Sequence, residues 1–220
     1  MQISRVRRTK ATARAAYDRL SHWYDLLAGS SEAVRMRLGL ELLAPREGEA
    51  ILEIGSGTGK ALVSLCQSVG TGGKVHGMDL STGMLQVASR RLAEAGLTGQ
   101  TYLLVGDGAR LPYKDESFEA VFMSFTLELF DTPEMPEVLA ECNRVLRPGG
   151  RLGVVSMLKS AQAGLAERLY EWAHAKLPAY VDCRPIQAQS LLLAAGFTLE
   201  KQQIRSMWGL PVDVIVARKG

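Results

Sequence analysis

Gly55, Gly57 and Gly59 follow a mostly apolar run at residues 50–54, which contains Glu53, and precede Lys60-Ala61-Leu62, the start of a helical pattern. Glycine at every second position of a strand-to-helix turn lets the backbone take left-handed angles and lets a ligand come close. The helix behind such a turn aims its unpaired N–H groups at whatever lies there. The chemistry this serves is the holding of a nucleotide-type ligand, and three forms of the turn compete. A phosphate-gripping P-loop needs Gly, four residues, then Gly-Lys-Ser/Thr. Here Ile54 stands where its first glycine belongs, and Ala61 where its magnesium-binding hydroxyl belongs. The dinucleotide fingerprint G-x-G-x-x-G/A, counted from Gly55, meets Lys60 at its last small position, and counting from Gly57 also fails. The form E-x-G-x-G-x-G is filled by Glu53, Gly55, Gly57 and Gly59.

Further residues able to do chemistry lie downstream. Asp79 ends the next apolar run, about 20 residues past the glycines, where a carboxylate can accept both hydroxyls of a ribose. His22 has a side chain that titrates near neutral pH, which makes it the general-base candidate. Glu128 is a candidate to hold a cationic or hydroxyl-bearing acceptor. The three cysteines, Cys66, Cys142 and Cys183, have no zinc-ligand spacing, and no metal site is expected. Cys66 and Cys142 sit in apolar helical patterns and read as buried thiols.

The elements that must position these residues follow from periodicity and punctuation. Residues 11–29 and 32–44 read as helices. Strands are expected at Ala50–Ile54, Lys74–Asp79, Thr101–Val105 and Phe118–Ser124, and again over 151–157. Helices fall between them at 60–69, at 81–95 with Ser81 as N-cap and Gly96 closing, and up to Val145 with Pro133 in the first turn. Helices are also expected over 161–176 and 185–195, followed by strands at 197–204 and 212–217. Alternating strands and helices predict a doubly wound α/β sheet, mostly parallel. The last two strands are joined by too short a link for a crossover and should pair antiparallel.

The chain has 220 residues, 47% hydrophobic and 22% charged, which suits one globular domain. Its net charge of +3 implies no global field for nucleic acid. Basic residues gather at Arg5, Arg7, Arg8, Lys10 and Arg14. Such a run reads first as a solvated tail or helix face, and second as a peripheral contact with an anionic membrane surface or with nucleic acid. No apolar leader or membrane-spanning run is seen, so a cytoplasmic setting is expected.

The E-x-G-x-G-x-G loop resembles that of the class I S-adenosylmethionine-dependent methyltransferases, and other family motifs stand in order after it. Gly106-Asp107-Gly108-Ala109-Arg110-Leu111-Pro112 matches G-D-A-x-x-L-P except for glycine at 108. Residues 118–125 match the fourth strand, and Leu146-Arg147-Pro148-Gly149-Gly150 the turn before the fifth. The order most resembles the branch of ubiquinone/menaquinone-biosynthesis and phospholipid N-methyltransferases, as do Asp79-Leu80-Ser81-Thr82-Gly83-Met84 and residues 17–25. The resemblance covers residues 45–157 firmly.

It implies a seven-stranded Rossmann-like sheet with the last strand antiparallel, and S-adenosyl-L-methionine as cofactor, released as S-adenosyl-L-homocysteine. The chain is read as one domain, with 1–44 an N-terminal helical cap, 45–157 the cofactor-binding core, and 158–220 acceptor-side helices and terminal strands. The implied cofactor residues begin with the loop: Glu53 ordering its turn, with Gly55, Ser56, Gly57 and Gly59. Asp79 takes the ribose; Leu80, Met84, Gly106, Asp107, Gly108 and Ala109 surround the adenine; Ser124 closes the set. For Asp107 a local Asx-turn is the other reading. Tyr17 and Tyr24, seven apart, share a face if their helix is continuous, and either reaches the cofactor carboxylate or the acceptor.

Thr126, Glu128 and Phe130 are expected to face the acceptor. The Arg-Asn pair that the quinone branch carries after its fourth strand is absent, since Thr126-Leu127 leads to Glu128-Leu129. The missing Asp/Asn-Pro-Pro-Tyr/Phe motif speaks against base-amine methylation of nucleic acid. The expected partner is a small-molecule or lipid-like methyl acceptor, attacked in line, with oligomeric state left open. The alternative is a cofactor-binding regulatory or assembly protein of the same fold without turnover.

Overall fold

The computed structural model describes residues 9–21, 24–160 and 183–220, with backbone alone at 24–30. His22 and the helix expected over 161–176 lie outside the described residues. The described helices are α1 (Lys10–Leu20), α2 (Tyr24–Leu43), α3 (Lys60–Val69), α4 (Thr82–Glu94), α5 (Met135–Val145) and α6 (Ala188–Ala194). The strands are β1 (Ala50–Ile54), β2 (Lys74–Asp79), β3 (Thr101–Val105), β4 (Phe118–Ser124), β5 (Leu146–Met157), β6 (Phe197–Met207) and β7 (Leu210–Lys219).

The seven strands form one sheet in the order β3-β2-β1-β4-β5-β7-β6. β1 to β5 pair parallel, and β7 runs antiparallel to both of its neighbours, β5 and β6. The central strands are apolar at successive positions because both faces are covered. Leu52, Ile54, Val121 and Val154 pack against Val138, Leu139 and Cys142 of α5. Ile51, Val75, Ala120 and Phe122 pack on the other face, against Leu43 of α2, Leu62 and Leu65 of α3 and Leu92 of α4. Cys66 and Cys142 are buried free thiols in these two cores. None of the described helices is long and apolar enough to cross a membrane.

β6 and β7 run longer than expected, and the boundaries differ further in four places. α1 and α2 are separate, so Tyr17 and Tyr24 do not share one continuous helix; the side chain of Tyr24 is among those not described. α5 starts at Met135, so Pro136 rather than Pro133 occupies its first turn. Pro133 lies in the preceding turn, closed by the Glu134 N–H donating to Asp131 O. β5 begins at Leu146, because its pairing with β4 resumes across an irregularity between Phe118 and Ala120. α6 starts at Ala188, because Ile186 is extended: its N–H donates to Met157 O and its carbonyl accepts from Lys159 N–H.

A buried ion pair fastens the second layer. Arg151 of β5 donates to both oxygens of Glu49 (2.9 and 2.6 Å) and, through Nε, to Leu43 O at the end of α2 (3.0 Å). It therefore joins the end of α2, the turn before β1, and β5. Glu49→Ala strands a buried guanidinium and should cost about 3–5 kcal/mol, while Glu49→Met with Arg151→Met should recover most of that. Urea unfolding followed by circular dichroism measures both.

Candidate active site

The strand order reverses between β1 and β4, and the carboxyl ends of β1, β2, β3 and β4 border one cleft there. Its floor is the glycine turn. The N–H groups of Gly55 and Ser56 donate to Met78 O (2.8 and 3.0 Å), which stitches the turn to the end of β2. Gly55 has φ +72°, and a Cβ there would lie 2.3 Å from Thr126 Oγ1. Glycine is thus required both by the angle and by the close packing of the segment after β4.

Asp79 ties the rest of the turn. Its Oδ2 accepts from the Gly57 N–H and its Oδ1 from the Ser81 N–H, each at 2.8 Å. Burial pushes its carboxyl above the ordinary range, opposed by those N–H groups and assisted by the charge of Asp18. Glu53 was expected to order the turn, and the structure corrects this. Its Oε2 is buried and lacks a hydrogen-bond partner among the described residues. Burial, then the charge of Asp79, holds it well above the usual carboxylate range. The carboxylate that accepts from the loop is the one on β2, because β2 ends beside the turn and the Gly57 N–H donates to Asp79 Oδ2.

At the tip of β3, Asp107 Oδ1 accepts from the Ala109 N–H (3.0 Å), so the Asx-turn is present. Its Oδ2 accepts from Lys10 Nζ at 2.6 Å, and the same ammonium lies 2.7 Å from Glu134 Oε1. Lys10 is therefore an ion-paired part of the cleft wall rather than a solvated tail residue. The glycine at 108 has a physical reason: a Cβ would come within 2.8 Å of Ile54 Cγ2 and 2.9 Å of Phe130 Cζ. Phe130 occupies the space that an alanine methyl would need.

β4 ends at Ser124, and Phe125 follows in a left-handed conformation (φ +52°), a strained position for a bulky residue. The chain turns so that Ser124, Thr126, Leu129 and Phe130 line the cleft. Glu128 is different. It is fully buried, and its Oε1 accepts from the Met157 N–H (3.2 Å), so the structure does not bring it to the acceptor side. The reason is the short helical turn Leu127–Leu129, which directs residue 128 inward against β5. Arg184, fully buried, braces this segment from outside it. It donates to Glu128 O, Phe130 O and Thr132 Oγ1.

α1 lies across the cleft. Lys10, Ala13 and Tyr17 all line it, with spacings of three and four that place them on one helical face. Its other end is held on α4: Asp18 Oδ1 accepts from Ser81 Oγ (2.6 Å) and from the Gly83 N–H (2.9 Å).

Of the residues expected at the site, Tyr17, Gly55, Gly57, Asp79, Leu80, Met84, Gly106, Asp107, Gly108 and Ser124 line the cleft. Glu53, Ser56, Gly59 and Ala109 lie behind its surface, Gly59 as the left-handed N-cap of α3. Lys10, Ala13, Ile54, Met78, Phe125, Leu129, Asp131 and Glu134 were missed as lining residues. The helical spacing of Lys10, Ala13 and Tyr17 was a usable signal for the first two. No sequence signal marked Glu134.

Known proteins resemble this chain at several levels. A family model described as a methyltransferase domain matches residues 51–150. The ubiquinone/menaquinone biosynthesis C-methyltransferase UbiE of Pseudomonas fluorescens is 31% identical over 164 residues, 74% of this chain and 62% of the relative. Nocamycin O-methyltransferase of Saccharothrix syringae is 34% identical over 157 residues, 71% of this chain and 53% of the relative. The chain thus spans about six-tenths or less of the length of these relatives. Among solved structures, the [4+2]-cyclase SpnF superposes with TM-score 0.78 at 20% identity, covering 99% of this chain and 98% of that one. The 1,6-didemethyltoxoflavin-N1-methyltransferase of Burkholderia thailandensis, solved with S-adenosylhomocysteine, gives TM-score 0.70 at 17% identity, covering 99% and 94%. These two structures share the fold.

The contact between Gly108 and Phe130 can be tested directly. Gly108→Ala should destabilise the protein by about 1–3 kcal/mol through overpacking, and adding Phe130→Leu should return much of that loss. Urea midpoints of the two variants against the parent measure it.

Proposed function

We propose that the chain is a class I S-adenosylmethionine-dependent methyltransferase related to the ubiquinone/menaquinone-biosynthesis type, and that it methylates a small-molecule or lipid-like acceptor. The observation that carries this reading is the Asp79 carboxylate at the tip of β2, half-buried, lining the cleft and bonded to the glycine turn. Two N–H donors occupy one lone pair on each of its oxygens, and the remaining lone pairs are available to the two ribose hydroxyls. A Cβ on Gly57 would meet nothing within 4 Å, so backbone on that side of the turn is open to the methionine portion of the cofactor. Leu80 and Met84 offer an apolar edge to the adenine, Asp107 a carboxylate for its amino group, and Gly108 bare backbone for its ring.

The cofactor supplies a methyl group on a cationic sulfur, which is already a good leaving group. The protein's part is to hold two partners in line and exclude water, and such positioning can contribute about 7–11 kcal/mol. Phe125, Leu129 and Phe130 make the acceptor side largely apolar, with Ser124 and Thr126 as its polar points. Glu128 is bonded into β5 and is not assigned a base role. Methylation proceeds without one when the acceptor arrives as a neutral amine or an ionised oxygen or carbon. The names of the relatives, one a quinone-pathway C-methyltransferase and one an O-methyltransferase, support a small organic acceptor.

Two measurements test this reading. Calorimetric titration with S-adenosylhomocysteine should show one site, and binding of NADH in its place would overturn the assignment. A labelled-methyl screen over quinone precursors, amino-lipids, phenols and thiols then identifies the acceptor; transfer to none of them, with cofactor bound, favours a protein of this fold without turnover.

Asp79→Asn should weaken S-adenosylhomocysteine by about 1.5–3 kcal/mol, the worth of hydrogen bonds to a charged group. The pH dependence follows from the raised carboxyl of Asp79. Ribose hydroxyls donate to the ionised form, so affinity is full above the folded-state pKa and declines as pH falls through it, starting above the ordinary carboxylate range. The apo protein behaves oppositely: a raised folded-state pKa favours folding at low pH, and that contribution is lost as pH rises through it. Titrations from neutral to mildly acidic pH should show the decline in the parent and a flatter profile in Asp79→Asn.

A further inference from the structure

The Lys10 ammonium sits where an adenine amino group would be expected. It touches Asp107 Oδ2 at 2.6 Å and Glu134 Oε1 at 2.7 Å, and lies 6.0 Å from the centre of the Phe130 ring. The other oxygen of Asp107 is taken by the Ala109 N–H. Oδ2 carries no backbone donor, which makes it the better acceptor for a purine amino group, and it is the oxygen that Lys10 holds. α1 carries Lys10 at one end, and its other end is fixed independently, through Asp18 on Ser81 and Gly83 and through Arg14 Nη2 on Thr82 Oγ1 (2.9 Å). Release of Lys10 therefore frees only the amino-terminal end of the helix. Glu134 gives the displaced ammonium a second anion to stay with.

We infer that Lys10 is a built-in competitor for the adenine subsite, giving up Asp107 while keeping Glu134 as the adenine amino group enters, and returning as it leaves. This rests on the cofactor reading above and adds to it a residue that sets affinity by vacating the site. Each partner stands on a different element: Lys10 on α1, Asp107 at the tip of β3, Glu134 at the start of α5. No single substitution of one of them removes the other two.

The competition predicts opposite signs at neighbouring residues. Lys10→Met removes the competitor, and S-adenosylhomocysteine should bind about two- to fivefold more tightly, the scale expected of the one partly exposed ion pair it must displace. Glu134→Gln removes the alternative partner and should weaken binding, and it should have no effect in the Lys10→Met background. Raising sodium chloride from about 50 mM to about 0.5 M screens the pair, so binding should tighten in the parent and not in Lys10→Met.

The purine-riboside analogue of S-adenosylhomocysteine, with hydrogen in place of the six-amino group, supplies the readout that a loosened helix would not produce. It has no donor on that edge of the ring, so it cannot replace Lys10 on Asp107 and should gain nothing from Lys10→Met. Calorimetry on the full chain, with thermal melts to confirm folding, gives all of these values. Equal gain for both nucleosides, unchanged or weaker S-adenosylhomocysteine binding in Lys10→Met, or salt-independent binding in the parent overturns the inference. If neither parent nor variant binds S-adenosylhomocysteine, the cofactor reading fails instead.

Discussion

One carboxylate carries the geometry of the cleft. Asp79 is at the end of a strand buried on both faces, and it accepts from the glycine turn on one side and from the start of α4 on the other. Ionised carboxylates are costly to bury, and the opposing N–H donors are what make this one tolerable. The turn after β1 is consequently held in register with the tip of β2. Because Gly55 in that turn has no side chain, Thr126 from the segment after β4 packs directly against it. Three strand ends are thus locked together through side chains, of Asp79 and Thr126, seated on the glycine-turn backbone, which leaves little room for substitution.

The N-terminal helix attaches to this framework rather than to the hydrophobic core. No residue of α1 is buried. Its hold on the protein is polar: Asp18 shares with the Ser81 hydroxyl the task of capping α4, whose first N–H groups would otherwise lack acceptors. Arg14 and Lys10 add contacts along the same helix. A helix held by partly exposed hydrogen bonds and ion pairs opens at lower cost than one held by apolar burial. That suits an element lying over a cleft through which a ligand must pass, and it separates the cleft's cover from the rigid sheet beneath it.

Much of this architecture was legible in the chain itself. The strands from β1 to β4 and the helices α3 and α4 follow from apolar runs, glycine stops and the Ser81 cap, which are local signals. Asp79 was found because the spacing from the glycine turn places it at a strand end. Pro133 misled the start of α5, since Pro136, three residues on, serves the first turn equally well by local chemistry. Ile186 delayed α6 because it pairs with the end of β5, a contact that no local pattern reveals. Glu128 looked like an acceptor-facing carboxylate because it follows a strand end, and one short helical turn directed it inward to Met157.

The spacing of glycines and acidic residues determined the kind of ligand this chain holds, and the apolar patterning determined the sheet that holds it. Both are written within a few residues of each other, where backbone angle and side-chain size act directly. Tertiary structure alone decided which carboxylate grips the glycine turn, why position 108 has no methyl group, and that Lys10 rests on Asp107. Each of these depends on atoms brought together from separate elements, as Gly57 with Asp79, Gly108 with Phe130 and Lys10 with Asp107. Proximity of that kind is set by the packing of the whole sheet and is invisible to any local window of the sequence.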